Sequence, residues 1–98
     1  MENQINKILI LCGMGFGSSF IVRENVRKVV EEMGLEDVEV EHSDVGSAYE
    51  GAADLFICGT DLEESCERYG PVVSLSNLFD MEELRDKLGE YLKEKGIV

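Results

Sequence analysis

The chain has 98 residues, 44% of them apolar, which is enough for one compact domain and leaves no room for a second core. Its formal charge of -12 would be repelled by a phosphate backbone, and the largest basic group is Arg23, Arg27 and Lys28, so nucleic acid is excluded as a partner. No run approaches the roughly 18 consecutive apolar residues of a membrane span, and the polar start Met1-Glu2-Asn3-Gln4 does not resemble a secretory signal; a cytoplasmic protein is expected.

In chain order, Lys7-Ile8-Leu9-Ile10-Leu11 reads as a short buried parallel strand. The pattern from Gly17 or Ser18 to Met33 repeats apolar residues at spacings of three and four (Ile21, Val22, Val26, Val29, Val30, Met33), and Gly34 supplies a left-handed stop. Val38 to His42 alternates with charged residues and reads as a second strand near an edge. Asp44 to Gly51 holds a turn or one short, weak helix. Asp54 to Cys58 is a third strand running into Gly59-Thr60-Asp61, where Thr60 and Glu63 have the spacing of a capping box for a helix through Arg68. Pro71 to Leu75 gives a fourth strand with proline in its first position. Asp80 then caps a last helix, with Glu83 three residues on and Leu84, Leu88, Tyr91 and Leu92 sharing one face.

Strand and helix alternate four times. This predicts an α/β fold: a three-layer open sheet of four parallel strands in the order 2-1-3-4, with helices on both faces, of the Rossmann-like or flavodoxin-like kind. In such sheets ligands bind beyond the carboxyl ends of the strands, at the switch in strand order. Cys12 falls there. If strands one and three are neighbours, Cys58, Gly59 and Thr60 end near the same crevice without taking part directly.

Cys12 is followed by Gly13-Met14-Gly15-Phe16-Gly17-Ser18-Ser19 and then by the helix. Alternating glycines let a backbone wrap an anion with its N–H groups, and a helix amino terminus lowers a thiol pKa from its free value of about 8.5. Ser18 and Ser19 add hydroxyl donors or cap the helix. The same residues also fit a small buried hydrophobe followed by an ordinary strand-to-helix turn. A low-molecular-weight cysteine phosphatase or arsenate reductase is disfavoured. It needs an arginine six residues after its cysteine, where this chain has Ser18, and an Asp-Pro acid, whereas the single proline, Pro71, follows glycine. A redox protein using Cys12 would need a partner cysteine at Cys-x-x-Cys spacing, which is absent.

The stretch Ile10 to Ser19 resembles the phosphorylation loop of the enzyme IIB component of the bacterial phosphoenolpyruvate-dependent sugar phosphotransferase system. The likeness continues through Asp44-Val45-Gly46-Ser47-Ala48, Ala53-Asp54-Leu55-Phe56-Ile57 and Asn77-Leu78-Phe79-Asp80. The Cys-Gly-x-Gly-x-Gly-Ser-Ser form is similar to the ascorbate/galactitol group rather than the lactose/cellobiose group. The resemblance implies a phosphotransferase in which Cys12 takes a phosphoryl group from the phosphohistidine of a IIA protein or domain. Cys12 then passes it to a sugar or polyol held by the membrane IIC permease, so the protein visits the inner face of the membrane. Gly13, Met14, Gly15, Phe16, Gly17, Ser18 and Ser19 would cradle the phosphate; no metal or other cofactor is implied. Phe16 departs from a small, polar loop and, with Met14, is read as a docking patch for IIA and IIC. The alternative is a regulatory domain whose Cys12 phosphorylation reports sugar flux, against which the lack of an attached effector segment weighs.

The remaining candidates have quieter readings. His42, a lone histidine at a strand end, is structural or exposed. Arg23 and Arg27 share a helix face that is solvated or meets acidic partner residues. Between Leu35 and Gly70 eleven acidic residues face one basic residue, Arg68, and most of this excess is a solubilising surface. Cys58 and Cys66 pack in the interior as reduced thiols, with Cys58 a chance disulfide partner for Cys12 under oxidation.

Overall fold

A computed structural model describes residues 5–12, 16–35, 37–44, 46 and 48–96; within it the side chains of Cys12, residues 16–19 and Asp44 are not described. The elements are β1 (Lys7–Cys12), α1 (Phe16–Glu32), β2 (Glu39–Asp44), β3 (Leu55–Gly59), a 3-10 turn (Thr60–Leu62), α2 (Glu63–Glu67), β4 (Val72–Leu75) and α3 (Met81–Glu94). All three strand pairings are parallel and the order is β2-β1-β3-β4. The alternation of the sequence led to this α/β sheet, with β2 at an edge.

The two faces of the sheet have different covers. On one, Ile8, Ile10, Val40, Leu55, Ile57, Val73 and Leu75 pack with Val22, Val26, Val29 and Val30 of α1 and with Leu84, Leu88 and Leu92 of α3. On the other, Leu9, Leu11, Phe56 and Cys58 pack with Cys66 of α2. Successive strand residues point to opposite faces, so β3, with all five residues buried, must be apolar throughout. That explains why its sequence shows a continuous run where β2 shows alternation.

Helix ends follow local chemistry. Gly34 adopts φ +84°, Leu35 N–H donates to the Val30 carbonyl at 2.9 Å and Gly34 N–H to that of Glu31 at 3.0 Å. These are the two bonds of a Schellman stop, and Leu35 packs on the same core as Val30. At α3, Asp80 accepts N–H bonds from Glu82 and Glu83, as its position predicts. Glu83, however, does not reach back to Asp80: it takes the N–H groups of Ser76 and Asn77, at 2.7 and 3.1 Å, and Asp80 N–H goes to the Asn77 carbonyl.

Two expectations are corrected. Thr60 and Glu63 form no capping box: neither the 3-10 turn nor α2 has a side-chain cap, because Thr60 lies inside the 3-10 turn rather than before a helix. The link from β2 to β3 has Gly46 in a 3-10 conformation and turns at Gly51, φ +85°, with Ala52 N–H on the Tyr49 carbonyl, within the expected turn or short helix. Strand four starts one residue later, at Val72, and Pro71 contributes its carbonyl to Phe56 N–H at 2.9 Å. Asp54 takes on work that its sequence position did not advertise. Its carboxylate accepts from Asn6 and Lys7 N–H, at 2.8 and 3.0 Å, while its own N–H donates to the Lys7 carbonyl, joining the entrances of β1 and β3.

Candidate functional site

Parallel order 2-1-3-4 sends the chain from β1 outward to β2 and then back across to β3, so the switch lies between β1 and β3, at the carboxyl ends. Cys12 is the last residue of β1 and sits beside Asp44, the last residue of β2, in the parallel register. Helix α1 begins at Phe16, four positions after Cys12. Gly13, Met14 and Gly15 lie outside the described residues, as do Val45 and Ser47 of the second resembling block.

The helix start differs from expectation. Phe16 and Gly17 belong to the first helical turn rather than to the loop, with Ser18 and Ser19 completing it. The first N–H groups of an α-helix have no intrahelical acceptor. The amides of residues 16–18 have no acceptor within α1, and the positive end of the helix dipole lies at this terminus.

Around this edge the surface is apolar and aromatic. Phe20, Ile21 and Phe79 are 53, 52 and 50% exposed; the first two lie at the start of α1 and Phe79 lies between β4 and α3, both at the carboxyl ends of the strands. Phe20 and Phe79 were not singled out from the sequence as surface residues; for Phe20 the signal was an aromatic out of step with the helical apolar period, and Phe79 lies outside any helix. Arg23 lies with its guanidinium carbon 5.8 Å from the centre of the Phe20 ring, and its Nε is buried without a hydrogen-bond partner among the described residues. Arg23 is thus half-buried rather than solvated, whereas Arg27 is exposed and pairs with Glu24 at 3.7 Å.

His42 stands opposite Ile10 in the β1–β2 register, partly buried, with Nδ1 unpartnered among the described residues. Cys58 does end β3 beside β1, but it belongs to the α2 side of the sheet with Leu9 and Leu11, and its thiol is hydrogen-bonded to that of Cys66. The neighbour that matters to Cys58 is Cys66, not Cys12. Burial raises the pKa of both buried thiols.

A cysteine at the end of the first strand of a four-stranded parallel sheet, with a helix beginning four positions later, makes this an α/β protein of the open parallel-sheet class. Residues 7–97 match the family described as PTS system, Lactose/Cellobiose specific IIB subunit. The chain is also similar to the "Ascorbate-specific PTS system EIIB component" of Mycoplasma pneumoniae (strain ATCC 29342 / M129 / Subtype 1), 30% identical over 96 residues that cover 94% of this chain and all of the relative. The chain belongs to the PTS IIB family, components of sugar-transporting phosphotransferase systems. IIB components work with IIA and IIC partners and have a phosphotransferase role. Among the described residues no helix is long and apolar enough to cross a membrane.

Proposed function

We propose that this chain is the phosphocarrier of a sugar-specific system, with Cys12 as the residue that carries the phosphoryl group. The single observation behind this reading is the position of Cys12, at the end of β1 and four positions before the amino terminus of α1. The thiolate sulfur of Cys12 attacks the phosphorus of a phosphohistidine on IIA; the S–P bond forms as the P–N bond breaks, and the imidazole leaves. In the second transfer a hydroxyl oxygen of the sugar or polyol held by IIC attacks the same phosphorus, and the thiolate leaves. Residues 13–19 are assigned to the phosphate, which preorganised N–H donors stabilise without a metal. The substrate class is proposed as ascorbate or galactitol, supported by the glycine-spaced loop and by the printed name of the relative.

Phosphoryl donors approach along the strand carboxyl edge, and the exposed Phe20, Ile21 and Phe79 support a docking role there. Incubation with phosphoenolpyruvate, the general phosphotransferase proteins and the cognate IIA, followed by mass mapping, is expected to place one phosphate on Cys12. Cys12→Ser should accept none. Phosphate on another residue, or undiminished labelling of Cys12→Ser, overturns the assignment. Membrane vesicles containing IIC should then draw the phosphate from Cys12 onto the sugar; retention on Cys12 in their presence would favour the regulatory reading.

A further inference from the structure

We infer that Cys58 and Cys66 form a redox modification site, closing to an intramolecular disulfide under a two-electron oxidant such as hydrogen peroxide. The two residues come from different elements, the fourth position of β3 and the fourth of α2, and both are fully buried in one apolar cluster with Leu9, Leu11 and Phe56. Their sulfurs are already in hydrogen-bond contact. Disulfide closure therefore shortens an existing contact rather than bringing distant strands together. Neither thiol takes part in phosphoryl transfer as assigned to Cys12.

A metal site is the competing use of paired thiols. Among the described residues no group of three or more His, Cys, Asp or Glu side chains is placed to hold a metal ion, so this pair lacks the further ligands a structural site needs. Access comes from weakness in the α2 segment. That helix is five residues long, and both it and the preceding 3-10 turn lack side-chain caps. Short, uncapped helices open at low cost.

Burial raises the pKa of both thiols, and Cys66, carried on the short helix that opens, is the one that then meets solvent and ionises. The Cys66 thiolate attacks one peroxide oxygen, the O–O bond breaks, and hydroxide leaves and takes up a proton as water. The Cys58 sulfur then attacks the sulfenic sulfur; the S–S bond forms, the S–O bond breaks, and the Cys58 proton departs with the second water. Burial holds both thiols protonated, so this oxidation is slow beside that of an exposed thiolate.

Tryptic cleavage separates the sites, because both buried cysteines fall in fragment 29–68 and Cys12 in fragment 8–23. The full chain and Cys12→Ser are treated with hydrogen peroxide under native conditions, then denatured, alkylated and digested. Fragment 29–68 is expected to be lighter by two hydrogens and unalkylated, gaining two alkyl groups after reduction, in both proteins. Cys58→Ser and Cys66→Ser should each leave the other thiol alkylatable. Circular dichroism of the oxidised sample should retain the native spectrum with a raised melting midpoint, since the link joins α2 to β3. Full alkylation of both cysteines after exhaustive treatment, a link between fragments 8–23 and 29–68, or loss of the fold on oxidation would each overturn the inference.

Discussion

Cys12 and Asp44 are register partners at the carboxyl ends of two adjacent parallel strands, β1 and β2. Neighbouring strands lie about 4.8 Å apart, so the backbone of an acidic residue is the register neighbour of the proposed nucleophile. A nearby carboxylate opposes ionisation of a thiol, while the α1 amino terminus favours it. Asp44→Asn should therefore move the alkylation profile of Cys12 to lower pH and speed iodoacetamide labelling at neutral pH by roughly 3-fold or more. An unchanged or slower reaction would show that Asp44 does not act on the sulfur.

Glu83 governs the entry to α3. It accepts from Ser76 and Asn77 N–H and pairs with Lys87 at 3.1 Å, and these donors push its pKa down to about 2 from the usual carboxylate value of 4.5. A depressed folded-state pKa gives stability that is present above the unfolded value and lost as pH falls through the folded one. The wild-type melting midpoint should exceed that of Glu83→Gln at pH 7. The gap should narrow between about pH 4.5 and pH 2; a gap that stays constant over that window would contradict the role of the charge.

Gly70 and Phe56 form a second constraint. Gly70 has φ +154°, and a β-carbon on it would lie 3.1 Å from Phe56 Cε1, an atom in the fully buried ring. Gly70→Ala should destabilise the fold by about 1–3 kcal/mol in urea titration. In a Phe56→Leu background the same change should cost less, since the contact is relieved and only the backbone strain remains. Equal costs in both backgrounds would place the whole effect in the backbone.

The exposed aromatics at the site edge offer a kinetic test. Phe20→Ser and Phe79→Ser should each raise the KM for phosphorylated IIA, leaving the alkylation rate of Cys12 within 2-fold of wild type. Unaltered KM in both variants would remove this surface from docking.

What could be read from the chain alone was whatever depends on neighbours in sequence. The apolar run ending at Cys12, the three-and-four spacing of Val22, Val26, Val29 and Met33, the stop at Gly34 and the Asp80 cap all act within a turn or a strand, so residue order suffices to express them. A parallel sheet covered by helices followed from the alternation of strand and helix, whereas the order β2-β1-β3-β4 is a property of the assembled sheet. Tertiary structure alone decided which distant groups meet. Asp54 closes on Asn6 and Lys7, Glu83 turns to Ser76 and Asn77, and Cys58 finds Cys66. Thr60 lost its expected cap for the same reason: the chain leaves β3 in a 3-10 turn, which displaces the helix start and takes the threonine out of capping position. Periodicity records which face a side chain occupies, whereas the partner it meets there depends on how the faces are brought together.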